Sequence, residues 1–293
     1  MKGATQVRSA LKLLLLACMG LQLPAMAQQE IVRAPLSTEQ VVQNLVRMNV
    51  ERAQELRSYQ GRRTYRLEYH GFPGTREAEM VVEVKYQSPG TKEFIIQSES
   101  GSKVIIDRVF RKLLQNEKEA LEAENLRRTA LNEENYVFTL LGYEITSAGS
   151  MYVLSVEPRR KDKFLYSGRI WVDGEDFAVV RIEAEPAKTP SFWTRNTKIE
   201  HRYVKVNDFW LPAQNHTLTS VRLGGRADLT IDYKDYQVTP ASLPGKLNDA
   251  ALHWPEGKKA SGHNGQIAAP RAAQSFLDAV EGAKAPAIAK AGD

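Results

Sequence analysis

The sequence predicts an α+β protein built on one long, curved, mainly antiparallel sheet of about ten strands, with helices covering it. Three observations lead there. Apolar and polar residues alternate with a period of two over most of residues 65–236. Turn residues break those runs at short, regular intervals. Only two segments carry helical spacing, far fewer than the strict alternation of a parallel α/β fold requires.

The chain opens with Lys2, Arg8 and Lys12, the apolar run Leu13–Met19, and Ala25-Met26-Ala27. A basic start, a short apolar middle and a small-x-small close are the marks of an export signal, expected to be cleaved after Ala27 and to deliver the protein to the periplasm. The run falls short of the roughly 20 apolar residues that span a bilayer. Leu15-Leu16-Ala17-Cys18 also resembles a lipobox, so the alternative is a chain anchored by lipid at Cys18. Residues 28–36 read as a linker before a domain over 37–239.

Ser37-Thr38-Glu39-Gln40 has the spacing of a capping box. Val41, Val42, Leu45, Met48, Ala53 and Leu56 then recur near helical intervals, which predicts a helix over about 38–57. The period changes to two at Tyr65, Leu67 and Tyr69. Gly71-Phe72-Pro73-Gly74 turns the chain, and Met80, Val82, Val84 and Tyr86 form the next apolar file. Ser88-Pro89-Gly90 leads to Phe94-Ile95-Ile96. Residues 103–128 interrupt the strands with a second helix, apolar at Ile106, Val109, Phe110, Leu113 and Leu114, then charge-dense from Glu117 to Glu124. Those five apolar residues suit a lid on the sheet opening or a plain core cap; Glu117, Glu119, Glu122 and Glu124 read as a solvated face. Further strands are expected at Tyr136–Leu141, Met151–Val156, Phe164–Val172, Phe177–Glu185, Asn196–Val206, Phe209–Val221 and Arg226–Tyr236, with tight turns at Asp173-Gly174 and Asn207-Asp208. Residues 240–293 shift to Ala, Gly, Lys and Pro, a low-complexity tail expected to be mostly disordered with a short helix around 272–280.

The whole chain carries +5, and the signal holds three basic and no acidic residues, so the mature protein carries +2. The basicity belongs largely to export, and no nucleic-acid partner is expected. Cys18 is the only cysteine, which leaves the mature chain without disulfide, thiolate metal site or cysteine nucleophile. His70, His201, His216, His253 and His263 show no metal-ligand spacing, and no nucleophile elbow, Walker loop or dinucleotide fingerprint appears. No catalytic residue, metal or cofactor is therefore assigned, and a non-enzymatic monomer is expected. The sharpest basic cluster is Arg159, Arg160, Lys161 and Lys163, read either as a charged hairpin loop or as a patch for anionic headgroups or an acidic partner. Trp193, in the turn-like Pro190-Ser191-Phe192-Trp193, suits the rim of a sheet.

The run Val84-Lys85-Tyr86-Gln87-Ser88-Pro89 with Phe94, the stretch from Gly168-Arg169-Ile170-Trp171-Val172-Asp173-Gly174 to Ile182, and Phe209-Trp210-Leu211-Pro212 resemble the LolA/LolB-like superfamily of outer-membrane lipoprotein-sorting proteins over residues 37–237. That resemblance implies an incomplete β-barrel with helices over its open side and an acyl-binding cavity between them. The sorting carrier has a lid-latching arginine just before the proline of its matching strand end; Ser88 stands there in this chain, so that latch does not carry over. Burial of a 16-carbon chain is worth about 12 kcal/mol, enough to require a shielded groove in transit through water.

On this reading the expected function is a periplasmic carrier of lipid acyl chains or lipoproteins, with an envelope interaction or stress-sensing module of the same fold as the alternative. The expected groove lining is Tyr65, Leu67, Tyr69, Met80, Val82, Val84, Phe94 and Ile96 in the first half. Ile170, Val172, Val180, Ile182, Trp193, Leu229 and Ile231 follow in the second, all but Trp193 on the apolar parity of their strands.

Overall fold

The structure is a computed structural model that describes residues 34–147, 149–188, 194–221 and 225–241. The signal and nearly all of the tail, with Trp193, His253 and His263, lie outside the described residues.

Helix α1 (Thr38–Glu55) starts at the expected capping box: Ser37 Oγ accepts from the Gln40 backbone N–H, and Gln40 Oε1 accepts from the Ser37 N–H. It runs directly into β1 (Leu56–His70), because Leu56 already has extended backbone angles. That strand begins nine residues before its first clear alternation. Register shifts between Leu56 and Ser58 and between Gln60 and Arg62 break the period there. Strands β2 (Arg76–Gln87) and β3 (Thr91–Gly101) complete a meander.

The segment expected as one helix is four pieces. These are α2 (Lys103–Ile105), a π-helical turn (Ile106–Phe110), α3 (Arg111–Ala120) and α4 (Ala123–Thr129), the last set off by a break at Leu121 and Glu122. The π turn adds a residue to the helical repeat. With it Ile105, Ile106, Val109, Phe110, Leu113 and Leu114 all reach the sheet.

The chain then meanders through β4 (Tyr136–Thr146), β5 (Gly149–Pro158), β6 (Tyr166–Asp173), β7 (Val179–Pro186), β8 (Thr194–Val206), β9 (Phe209–Val221) and β10 (Gly225–Pro240). The last strand pairs with the first along its length, from Leu56 opposite Pro240 to His70 opposite Arg226. The result is one antiparallel ten-stranded sheet in the order β3-β2-β1-β10-β9-β8-β7-β6-β5-β4. It is curled and open, an α+β incomplete barrel as the sequence predicts, with β3 and β4 as its edge strands among the described residues.

The inner face carries two apolar clusters. One gathers β1, β2 and β10 with parts of β8 and β9 under the Lys103–Ala120 segment; the other gathers β4–β7 under α1. Arg52 ties the end of α1 down, donating to the carbonyls of Asp176 (2.7 Å) and Phe177 (3.2 Å) in the β6–β7 turn. Among the described residues no helix is long and apolar enough to cross a membrane.

Candidate functional site

Alternation on a curled sheet sends one parity of every strand inward. Tyr65, Leu67, Met80, Val82, Val84, Leu229 and Ile231 all lie buried in the first cluster, with Tyr69, Phe94 and Ile96 partly buried against it. The five cover residues Ile106, Val109, Phe110, Leu113 and Leu114 pack onto the same cluster, Phe110 meeting the Tyr65 ring at 5.8 Å between centroids. Ile170, Val172 and Ile182 belong instead to the second cluster, beneath Val41, Val42 and Leu45. The residues expected as one lining therefore form two patches. Val180 joins neither. A register shift pairs Val172 with Val179, so Val179 takes the place against the cluster that period-two counting gave to Val180.

Between the two patches the inner face is polar. Thr197, His201, Asn215, Thr217 and Thr219 are all buried. Thr197 and Thr219 hydroxyls lie 3.2 Å apart. Thr217 Oγ1 donates to Asn215 Oδ1 (3.1 Å), which leaves the Asn215 amide to donate to His201 Nδ1 (3.0 Å). His201 is thereby the neutral tautomer with its proton on Nε2, and Nε2 has no hydrogen-bond partner. Burial, with the Arg63 charge as a smaller contribution, pulls its pKa down to about 3. Asn215-His216-Thr217 has the spacing of a glycosylation sequon, but the Asn215 side chain is enclosed.

The helical cover of the first cluster is fastened by charge. Glu117, expected on a solvated face, is buried on the stripe of Leu113, Leu114 and Ala120. Arg63 from β1 grips it with two contacts of 2.6 and 3.1 Å, and Lys92 from β3 adds a third at 2.6 Å. The Arg63 guanidinium also lies over the rings of Tyr233 (4.9 Å) and Phe94 (5.7 Å). Burial alone would raise the Glu117 pKa; the two cations overcome it and hold the carboxyl far below the usual range. Desolvation lowers the Lys92 and Arg63 pKa values, but Glu117 together with nearby tyrosines more than offsets it, so both are raised. One carboxylate thus joins β1, β3 and α3. The sequence held one signal of it: Arg63 sits on the inward parity of Tyr65 and Leu67.

The basic cluster is only partly free. Arg160 donates to Asn135 Oδ1 (2.9 Å) and to the Arg128 carbonyl, which fastens the β5–β6 loop, and Lys163 covers the Phe164 ring at 4.4 Å. Arg159 uses Nε on the Glu133 carbonyl (2.7 Å). Arg159, Arg160 and Lys161 line one end of a cavity of about 910 Å³ that also touches Glu157, Arg169, Ala184, Glu185, Lys198, Ile199, His216 and Leu218. It opens where β7 and β8, paired from Arg181–Arg202 to Ala184–Ile199, separate. Among the described residues no cluster of histidine, cysteine and carboxylate groups is arranged to hold a metal ion.

No family model matches this chain, and no curated protein does. Solved structures do. A LolA superfamily protein from Nitrosomonas europaea is 10% identical over 72% of this chain and 96% of its own, with a TM-score of 0.32. An outer-membrane lipoprotein-sorting protein domain from Vibrio parahaemolyticus is 11% identical over 72% and 94%, with a TM-score of 0.33. A DUF1329 family protein from Desulfovibrio piger is 15% identical over 72% and 95%, with a TM-score of 0.36. At these identities the likeness is one of fold alone.

Proposed function

We propose that this protein is a periplasmic carrier that shelters the acyl chain of a lipid or lipoprotein against the inner face of its sheet. The observation that carries the reading is the construction of the first cluster. An open sheet presents a continuous apolar patch, and the segment covering it is fastened by an ion cluster, Arg63–Glu117–Lys92, in addition to apolar contact. A permanent core gains nothing from such a fastening, since replacing a buried ion pair by apolar side chains is often neutral or stabilising. A cover that must lift and close again gains a defined closed position.

In this closed form Met80, Val82, Leu229 and Ile231 are wrapped by the cover. Lifting it exposes their patch, and an acyl chain replaces the cover's side chains with a comparable area of apolar contact. Delipidated protein should bind a fluorescent fatty acid in a saturable way, and Glu117→Gln should speed association several-fold. Absence of binding at micromolar ligand overturns the reading.

One observation favours the alternative of an envelope interaction module. Edge strand β4 carries Val137, Leu141 and Ile145 exposed along a side that no other strand pairs among the described residues, where only the Leu140 N–H is taken, by Thr38 Oγ1 (3.2 Å), a form of edge that invites strand addition. On that reading the protein captures a partner from envelope extract, and the capture is lost when residues 159–163 are neutralised or Leu141 is replaced by Lys.

A further inference from the structure

The opening between β7 and β8 combines charges in a way that neither apolar cluster explains. Continuing the pairing of Ala184 with Ile199 by one residue would set Glu185 opposite Lys198. The strands have already parted there, and no ion pair joins the two, nor does either have another charged partner among the described residues. Glu185 instead continues a row across the outer face. It pairs with Ser167, whose hydroxyl donates to Glu157 at 2.7 Å. One wall of the opening is therefore acidic.

Lys198 stands on the other wall, and Lys161 and Arg159 line the end of the opening, neither with a carboxylate partner among the described residues. The neighbouring charges are already matched. Glu183 pairs with Arg169 (2.8 Å) and Arg181, Glu200 with Arg202 (2.7 Å) and Arg181 (3.4 Å), and Asp228 is taken by hydrogen bonding with His216 (2.8 Å). What remains uncompensated is the Glu185 carboxylate on β7, with Lys198 across the gap on β8 and Lys161 and Arg159 on the β5–β6 loop at the end of the opening. The floor between them is apolar: Ala184 belongs to the cluster under α1, Ile199 to the cluster under α2 and α3. The opening thus lies on the outer face, above the seam between the two inner clusters and where β7 and β8 part, and its volume of about 910 Å³ is within the range of small-ligand sites.

We propose that this opening receives a zwitterionic group, a phosphate joined by a short linker to a primary ammonium, as the headgroup of the amphiphile whose chains lie on the inner face. The phosphate meets Lys198, Lys161 and Arg159, and the ammonium meets Glu185 and Glu157. Placement of the chains rests on the carrier reading above; the headgroup site stands on the opening alone.

The test compares three probes by titration calorimetry: dihexanoylphosphatidylethanolamine, dihexanoylglycerol and free O-phosphoethanolamine. Each is applied to the delipidated protein and to the double variant Glu185→Gln/Lys198→Gln. Both positions are exposed, so the variant should keep the circular dichroism spectrum of the parent. The expected result is at least tenfold tighter binding of the phospholipid than of dihexanoylglycerol, collapsing to within twofold in the variant. Equal affinity for the two lipids, or a preference that survives the double substitution, overturns the headgroup site and leaves the carrier reading standing. Binding of free O-phosphoethanolamine alone, lost in the variant, upholds the zwitterion site and overturns the carrier reading. No binding of any probe overturns both.

Discussion

Helix α1 and the Lys103–Ala120 segment both cover the same curled sheet, but they are attached by different physics. Under α1 the contacts are Val41, Val42 and Leu45 against strands β4–β7, with Arg52 donating to carbonyl oxygens at the rim. Nothing in that set faces a buried charge of opposite sign. Under the second segment Phe110 and Leu113 are as buried as Leu45, yet the same stripe includes Glu117, neutralised by cations from two strands. Apolar burial holds an element continuously and responds little to conditions. An ion cluster closes firmly only when every partner is present, and it responds to protonation. The first attachment is suited to a fixed wall and the second to a moving one.

The comparison breaks most sharply at Glu117. Replacing it by Gln leaves the buried Arg63 and the partly buried Lys92 with no counter-charge, at a cost of about 3–5 kcal/mol. Amide hydrogen exchange should speed up over 103–120 well before it does over 38–55; uniform acceleration would mean that the two covers are one cooperative unit.

Leu45→Ala is the matched perturbation of the fixed wall. It should cost about 3 kcal/mol of global stability by denaturant titration. It should leave the rate of fatty-acid association unchanged, whereas Glu117→Gln raises it.

Acid separates the seam from both covers. His201 titrates near 3 in the folded chain against 6.5 in the unfolded one, so protons bind the unfolded state preferentially between those values. Its contribution to stability is complete above pH 6.5 and declines as pH falls toward 3, by about 2–3 kcal/mol between pH 6.5 and 4.5. Chemical denaturation of the parent and of His201→Asn across that range should show a flatter acid limb in the variant. The Glu117 contribution has the same sign but is lost only below the ordinary carboxylate pKa of about 4.5.

The smallest effect expected is at the capping box. Ser37→Ala removes one acceptor from the first turn of α1 and should lower stability by about 1 kcal/mol, with no change in exchange over 103–120.

Much of the framework was legible before any coordinates. Period two in Tyr65-Leu67-Tyr69 and Met80-Val82-Val84 placed those strands and their inward faces, and Ser37 with Gln40 placed the start of α1. Legibility failed wherever a local irregularity intervened. The shift at Trp171/Val172 moved Val179 into the place expected for Val180, and shifts near Leu56 and Gln60 hid β1 from Leu56 up to Tyr65. It failed again where the inward parity is polar: in Thr217-Leu218-Thr219 the threonines are enclosed, while Leu218 points to the outer face.

The sequence by itself determined the fold class, the strand parities and the caps, because each depends on neighbours within a few residues along the chain. Tertiary structure alone decided that Arg63, Lys92 and Glu117 meet, although 25 and 54 residues separate the carboxylate from its partners. It decided likewise that β7 and β8 part after four paired positions. Both depend on how a twisted sheet curls and on which charge finds another in a low-dielectric interior, and those are properties of three-dimensional neighbours that no local pattern encodes.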